Sequence, residues 1–249
     1  MTAGSSKYIR ALGSPLSALI GLNVAAFAVI VAMTLSGSSD AVSRVFCLPS
    51  DHMLLVHRPW TLVSFTVAQA DLLQLLFNML WLYAFGRLFL MRERGLNLWL
   101  LYFGGAAFAG LLYVCFNRYF FGETATVLVG ASAAVIAIGV AVAVLLPDMR
   151  LYIPMIGPTK ISWIVPVVII IFALGLSTDN AGGNIAHLGG ALAGMTYGLA
   201  ARYLDRRRSP DSVTAEADYL RILDKVRRSG YASLNADERR TLLKYQGKY

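Results

Sequence analysis

Residues 129–139 read Val-Gly-Ala-Ser-Ala-Ala-Val-Ile-Ala-Ile-Gly, and this stretch decides how the whole chain is interpreted. Ser132 lies two residues after Gly130, near the start of an apolar helix long enough to span a bilayer. Most serines in such helices only donate to a carbonyl one turn back. His187 is the only histidine inside any apolar segment, and ionisable groups there are costly enough to indicate function. The central question is therefore whether the fold brings Ser132 and His187 together.

The composition is typical of a membrane protein that crosses the bilayer several times. Hydrophobic residues make up 57% of the 249 residues and charged residues 14%, against about 25% charged in an average soluble domain. The net charge of +8 does not indicate a nucleic-acid partner. Half of the 22 Lys and Arg residues follow Asp205, and most of the others flank apolar segments.

The sequence predicts neither a metal site nor a cofactor. Cys47 and Cys115 form no metal or redox motif, and a disulfide between them is the alternative to two unpaired small residues. Lys7 and Arg10 precede an apolar run, as in a signal peptide. The run continues to Leu35, however, which is too long for a cleaved leader.

Six apolar segments of about 20 residues predict six membrane spans, hence an all-α bundle. They cover approximately Leu16–Leu35, Asp71–Leu90, Leu96–Phe116, Ala125 or Gly130 to Leu146, Ile161–Leu176 and Gly182–Tyr203. With a cytoplasmic amino terminus, only Arg44, Arg58 and Arg118 among the 22 basic residues lie outside. Because basic residues concentrate in cytoplasmic loops, we expect both termini to be cytoplasmic, in a cell (inner) membrane.

This topology predicts a layer of polar side chains near the outer face. Spans two, four and six all enter from outside, so Ser132 and His187 lie at a similar shallow depth. Gln74 and Asn78 occupy the matching depth on span two. Their i, i+4 spacing places both amides on one helix face.

Small residues predict that spans four and six pack closely. Gly190 and Gly194 form a G-x-x-x-G one turn beyond His187, and span four presents Ala133 and Ala137. Such residues let helix backbones approach in a membrane. This spacing would allow Ser132 and His187 to meet.

At this point the sequence resembles the rhomboid family of intramembrane serine proteases, from about Leu55 to Tyr203. The resemblance rests on Arg58-Pro59-Trp60-Thr61, residues 75–83 (LLFNMLWLY), Gly130-Ala131-Ser132 and Ala186-His187-Leu188-Gly189-Gly190, in this order on spans two, four and six. It implies a six-helix bundle with a water-filled cavity open to the outer face, and transmembrane proteins as substrates. It also implies a Ser–His dyad without an acidic third member, with Ser132 as nucleophile and His187 as general base.

The chain departs from the family pattern at three places. Histidines that the family carries before the asparagine of span two are replaced by Gln74 and Gln69. The histidine at the position of Gln74 normally stabilises the oxyanion, together with the asparagine and the backbone N–H of the serine. A Gln amide can still donate a hydrogen bond there. The second glycine of the family's G-x-S-G motif is replaced by Ala133 in this chain. The family often has an aromatic residue one turn after the serine, and this chain has Ile136 there. His187 would therefore be oriented by apolar packing and by Asn184.

The residues also form a consistent site without the family. Acyl transfer needs a nucleophile, a base and donors where negative charge develops. Ser132, His187, and the pair Gln74 and Asn78 can fill these roles. The predicted function is therefore an intramembrane serine endopeptidase that cleaves substrates near the outer membrane face.

Several alternatives remain open at this stage. Ser132 and His187 could form a purely structural hydrogen bond between helices. The chain could be a weak or inactive rhomboid-like protein that binds transmembrane helices without cutting them. A channel or transporter is disfavoured because no internal repeat is visible. Zinc and aspartyl proteases are disfavoured because the sequence has no H-E-x-x-H motif and no pair of aspartates within the spans. The oligomeric state is left open.

The composition divides the chain into residues 1–204, a six-helix membrane domain, and residues 205–249, a basic cytoplasmic tail. Asp205-Arg206-Arg207-Arg208-Ser209-Pro210 predicts the end of the last span and a contact with anionic lipid. Beyond it, helical spacing, Gly230 and a capping pattern at Asn235 predict a small helical hairpin. A solvated tether is the alternative.

Overall fold

The computed structural model describes residues 14–121, 126–153, 157–177 and 180–246, and this part of the chain is mostly helical. The α-helices are α1 (Pro15–Leu35), α2 (Ser39–Phe46), α3 (His52–His57), α4 (Thr61–Ser64), α5 (Leu72–Leu90), α6 (Gly95–Phe116), α7 (Ser132–Leu145), α8 (Ile164–Leu174), α9 (Ala181–Ser229) and α10 (Ala236–Gln246). A π-helical turn, Asn117–Phe121, extends α6, and 3₁₀ turns cover Ile161–Trp163, Gly175–Ser177 and Tyr231–Ser233. The strands form two antiparallel pairs, β1 (Leu48–Pro49) with β2 (Val127–Leu128), and β3 (Arg150–Ile153) with β4 (Gly157–Lys160).

Three helical segments of the described chain are long and apolar enough to cross a membrane: Pro15–Leu35, Leu72–Leu90 and Gly95–Tyr119. Helices α7 and α8 are apolar but shorter. The number of six spans and the cytoplasmic position of both termini therefore stay predictions.

The starts of the first two long helices follow from their capping residues. Ser14 caps α1 through a bond from the N–H of Ser17 to its Oγ (3.1 Å), and Pro15 occupies the first helical position, where its missing N–H costs nothing. Asp71 caps α5 by accepting from the N–H of Gln74 (2.7 Å). These caps satisfy backbone donors that have no partner within the helix.

The region between α1 and α5 lies between the first two predicted spans. It contains α2, α3 and α4, which are four to eight residues long. Each is short and flanked by turn residues, so their periodicity is too brief to distinguish from a loop in the sequence.

One predicted helix boundary was wrong, and another had two alternatives. Of the two starts expected for the fourth span, Ala125 and Gly130, the structure favours the second, because α7 begins at Ser132 and Val127–Leu128 are extended and pair with Leu48–Pro49. The last helix does not end at Asp205-Pro210 but runs on to Ser229. A proline removes one backbone donor, and the segment after it contains several helix formers, among them Ala, Leu and Arg, which favour continuation.

Helix α7 lies at the centre of the packing and contacts both α5 and α6. Eleven of its 14 residues are buried. Helix α9 approaches it through glycines: a Cβ at Gly190 or Gly194 would overlap the carbonyl oxygens of Ala133 or Ala137. The prediction that these two segments form a tight pair through small residues is confirmed. Helix α8, by contrast, contains no buried residue.

Residues 200–249 form a second compact unit, with residues 1–199 as the first. Within it Ile222, Leu234 and Leu242 form a small apolar core. Gly230 ends the helix with a positive φ of 75°, as its position in the sequence predicted. Asn235 and Glu238 form a capping box, with reciprocal bonds of 2.8 and 2.9 Å, which confirms that sequence signature.

Candidate functional site

The structure brings Ser132 and His187 into direct contact. Ser132 is the first residue of α7, and His187 lies near the start of α9. The distance between the Oγ of Ser132 and the Nε2 of His187 is 2.6 Å, within hydrogen-bond range. The contact depends on the close approach at Gly190, because a side chain there would push α9 away from α7. A serine bonded to an imidazole nitrogen is the arrangement of an activated nucleophile.

The environment of His187 is apolar on its other side. Its ring lies against Phe172 of α8, with centroids 4.3 Å apart and an interplanar angle of 50°. Its Nδ1 is buried and has no hydrogen-bond partner in the part of the chain that the structure describes. Asn184, expected to help orient the ring, donates to the carbonyl of Gly175 (2.7 Å). Phe172 therefore supplies the aromatic contact that the sequence seemed to lack at Ile136.

The backbone before Ser132 is held by the segment between α1 and α5. Besides the β1–β2 pairing, the N–H of Ser50 donates to the carbonyl of Thr126 (3.0 Å) and the N–H of Gly130 donates to that of Phe65 (3.0 Å). Gly130 has φ of +120°, a conformation that residues with a Cβ rarely adopt. The turn that glycine permits places Ser132 at a helix N-terminus.

That position matters electrostatically. The first N–H groups of a helix lack intrahelical acceptors and lie at the positive end of its dipole. The structure has no side-chain cap at Ala131 to occupy them. The start of α7 therefore offers backbone donors beside the Oγ of Ser132, where a negative charge would be stabilised.

Gln74 lies against the turn that precedes Ser132. Its Oε1 accepts from the N–H of Ala70 (2.7 Å), so this oxygen is tied to the start of α5. A Cβ built on Gly130 would lie 3.0 Å from the Nε2 of Gln74. The amide nitrogen is thus next to the backbone that presents the serine, while the amide oxygen has a structural bond.

Asn78 lies one turn further along α5 and is 8% exposed. Its Nδ2 donates to the Oε1 of Gln69 (2.8 Å). Its side chain lines the same cavity as Ser132 and His187. The residues predicted for the site are therefore close together, with Gln74 beside the turn and the other three at the cavity.

The cavity has a volume of about 800 Å³ and an almost entirely apolar lining. It runs between α5, α7 and α8, which contribute among others Trp81, Val135 and Val168, and reaches Tyr152 and Lys160 of the β3–β4 hairpin. Asn78, Ser132 and His187 are among its polar lining residues, and Thr159 and Lys160 line it at the hairpin. Among the described residues, no three His, Cys, Asp or Glu side chains come together to hold a metal ion.

Two contacts near the site could not be found from the sequence. Phe172 is one apolar residue among many in its helix, and only its position against His187 distinguishes it. Gln69 was noted as a departure from the family pattern, but its bond to Asn78 was not predicted. Its proximity to Asn78 could have been inferred only from the turn between Gln69 and the start of α5.

The comparison with protein families agrees with this arrangement. A family model for the rhomboid domain matches residues 56–204, more than half of the chain, and the match covers Gln74, Asn78, Ser132 and His187. A search of curated proteins found no match. Rhomboid proteins are generally intramembrane serine proteases that act on transmembrane substrates, although inactive homologues exist. With its long apolar helices and a rhomboid domain across most of its membrane region, this membrane protein belongs to the rhomboid family.

Proposed function

We propose that the protein is an intramembrane serine endopeptidase with a catalytic dyad of Ser132 and His187. The observation that carries the proposal is the 2.6 Å contact between the Oγ of Ser132 and the Nε2 of His187 at the wall of a cavity. The Nε2 takes the hydroxyl proton as the Oγ attacks a substrate carbonyl. The imidazolium then gives this proton to the leaving amine, and water hydrolyses the acyl-enzyme with His187 again acting as base.

The tetrahedral intermediate needs donors for its oxyanion. The backbone N–H of Ser132, the Nε2 of Gln74 and the Nδ2 of Asn78 are the groups best supported for this role. The first two are near the start of α7, where the helix dipole also favours negative charge, and Asn78 lines the same cavity as Ser132. The bond from Ala70 to the Oε1 of Gln74 orients that amide with its nitrogen near Gly130.

The role of Gln74 can be tested separately from its bond to the start of α5. If it donates to the oxyanion, Gln74→Ala lowers turnover by about 1–3 kcal/mol in transition-state free energy and leaves KM nearly unchanged. Gln74→His, which also carries an N–H donor, should be tolerated. A lower melting temperature with unchanged turnover of the folded fraction would assign the oxyanion to Asn78 and the Ser132 backbone.

The substrates are transmembrane proteins cut near the outer end of their helix. Helices α5 and α8 leave a wide apolar cavity between them, lined by Trp81, Phe85 and Val167. Such a cavity admits an apolar segment. The carbonyls of an α-helix are bonded within the helix, so the segment must unwind before Ser132 can attack. The proposal includes six spans and cytoplasmic termini in a cell (inner) membrane.

Labelling with a fluorophosphonate tests this function. The probe reacts with an activated serine, so the detergent-purified protein should become labelled, and Ser132→Ala should abolish the label. Mass spectrometry of a cleaved single-span substrate should then locate the cut near the outer helix end. Absence of both labelling and cleavage, with substrate retained on the protein, would favour the alternative of an inactive protein that binds transmembrane helices.

A further inference from the structure

A chain of buried amides connects α1 to the candidate site. Asn23 of α1, Gln69 before α5 and Asn78 on α5 are 0%, 4% and 8% exposed. The Nε2 of Gln69 donates to the Oδ1 of Asn23 (3.4 Å), and the Nδ2 of Asn78 donates to the Oε1 of Gln69 (2.8 Å). Polar groups buried in an apolar bundle are costly unless they are bonded, so this arrangement requires an explanation.

The direction of these bonds is set at the end that lies farthest from the cavity. The Nδ2 of Asn23 donates to the backbone carbonyl of Leu19 (3.0 Å), and a carbonyl can only accept. The Oδ1 of Asn23 must then face Gln69 and the hydroxyl of Tyr102, whose single proton is shared between this oxygen (3.0 Å) and the carbonyl of Thr66 (3.1 Å). Because the Oδ1 of Asn23 can only accept, Gln69 must face it with its donor nitrogen, Nε2.

The same logic continues to Asn78. With its nitrogen facing Asn23, Gln69 presents its Oε1 to Asn78, and this oxygen requires the Nδ2 of Asn78. One hydrogen of that nitrogen is bound by Gln69, and the second remains for the cavity that Asn78 lines. Each amide in the chain therefore fixes the orientation of the next.

We propose that Gln69 and Asn23 are positioning residues for the reaction: they hold the amide of Asn78 with its nitrogen, not its oxygen, toward the oxyanion. The inference rests on the proposed function, because it assigns them a part in that same site. The two ends of an Asn amide have nearly the same shape, so the apolar neighbours cannot distinguish them. Hydrogen bonding alone selects the orientation, and a carbonyl oxygen in that place would repel the developing charge.

A double-mutant cycle tests the proposal. Gln69→Met keeps the length of the side chain and removes both amide bonds, which frees the rotamer and orientation of Asn78. We expect kcat to fall about three- to tenfold with KM unchanged, a change equivalent to one lost hydrogen bond. In the Asn78→Ala background the same substitution should lower kcat no further, because the amide that it orients is absent. A sensitive fluorogenic substrate is needed for that background.

A second variant and a matched control accompany the cycle. Asn23→Leu leaves the bond between Gln69 and Asn78 but removes the group that orients Gln69. It should lower kcat about two- to fivefold only when Asn78 is present, and it decides the question if Gln69→Met does not fold. Tyr197→Phe removes a part-buried bond to Glu93 (2.8 Å) at another part of the bundle. It should lower the melting temperature and leave kcat unchanged.

The outcomes are distinguishable from failure of the proposed function. If wild type neither cleaves nor reacts with the fluorophosphonate, the function itself is wrong. If wild type cleaves but both positioning variants lower kcat equally with and without Asn78, the amide chain has only a structural role and this inference is overturned. Loss of stability with unchanged kcat of the folded fraction overturns it as well.

Discussion

Helices α7 and α8 are both short and apolar, but their surroundings differ completely. Eleven of the 14 residues of α7 are buried, whereas none of the 11 residues of α8 is. The residues of α7 are mainly Ala and Val with one Gly, and those of α8 are mainly Ile and Val with a proline and a phenylalanine. Lipid tails are as apolar as either helix, so hydrophobic content does not select which helix is buried.

Residue size makes the selection. Small side chains let α7 contact its neighbours almost backbone to backbone, as at Gly190 and Gly194 of α9. Helix α8 has one Ala and no Gly, so its larger side chains keep it at a distance and leave the cavity beside it. We therefore interpret α7 and α9 as the rigid pair that carries the reacting groups, and α8 as the loosely held wall of the cavity. Four predictions test this comparison.

The largest effect should come from the reacting pair itself. Ser132→Ala and His187→Ala should each reduce cleavage of a model single-span substrate by about 10³-fold or more. The double variant should be no worse than the singles, since the members of a catalytic unit fail together. Initial rates of purified protein measure this. Ser132→Ala should melt normally, and near-wild-type cleavage by either single variant would end the assignment of the dyad.

The next largest effect should come from the glycines of the rigid pair. Gly194→Leu would force a side chain into the carbonyl of Ala137, which should cost about 3 kcal/mol of folding stability through overpacking. Gly104→Leu is the matched control, because nothing lies within 4 Å of a Cβ there. Thermal unfolding in detergent compares them. Equal melting temperatures would contradict the close packing of α9 on α7.

A matched isoleucine pair measures the contrast directly. Ile138 of α7 is 0% exposed, and Ile170 of α8 is 57% exposed. Ile138→Ala leaves a cavity among packed side chains and should cost about 2 kcal/mol. Ile170→Ala removes atoms that face an apolar solvent and should change stability by less than about 0.5 kcal/mol. The same unfolding assay suffices, and similar losses would mean that α8 is packed as tightly as α7.

The smallest effect should come from the contact that α8 makes with the site. Phe172→Leu removes the ring that lies against His187 and should lower turnover about two- to fivefold, in line with the modest strength of ring pairs. Phe172→Tyr keeps the ring and should retain turnover. Steady-state kinetics decide it. If Phe172→Leu matches wild type, α8 contributes only a wall and does not help to orient the imidazole.

Sequence patterns were sufficient for some of these features and not for others. Ser132 and His187 could be paired from the sequence alone, because the predicted topology has the serine and the one histidine of the apolar segments on spans that enter from the same side. The glycine spacing then predicted their contact. The sequence could not decide between Ala125 and Gly130 as the start of α7, because Val127–Leu128 are as apolar as the helix and become extended only through pairing with Leu48–Pro49.

Contacts between distant segments were also beyond the sequence. Nothing in an Ile- and Val-rich segment indicates that Phe172 will meet His187. Asn23 looks like an isolated polar residue in the first apolar segment until Gln69 and Tyr102 are seen around it. Such partners are chosen by tertiary packing, which local patterns do not encode.

The pairing of β1 with β2 has a consequence for how the protein is made. Residues 48–65 leave the ribosome well before the turn at Gly130 that they hold, so the support exists before the serine segment arrives. His187 follows Ser132 by 55 residues and is the last part of the site to be synthesised. If the proposed function holds, a nascent chain that stops before α9 has its nucleophile without a base. The protein would then stay inert during translation and become competent only after α9 has been made.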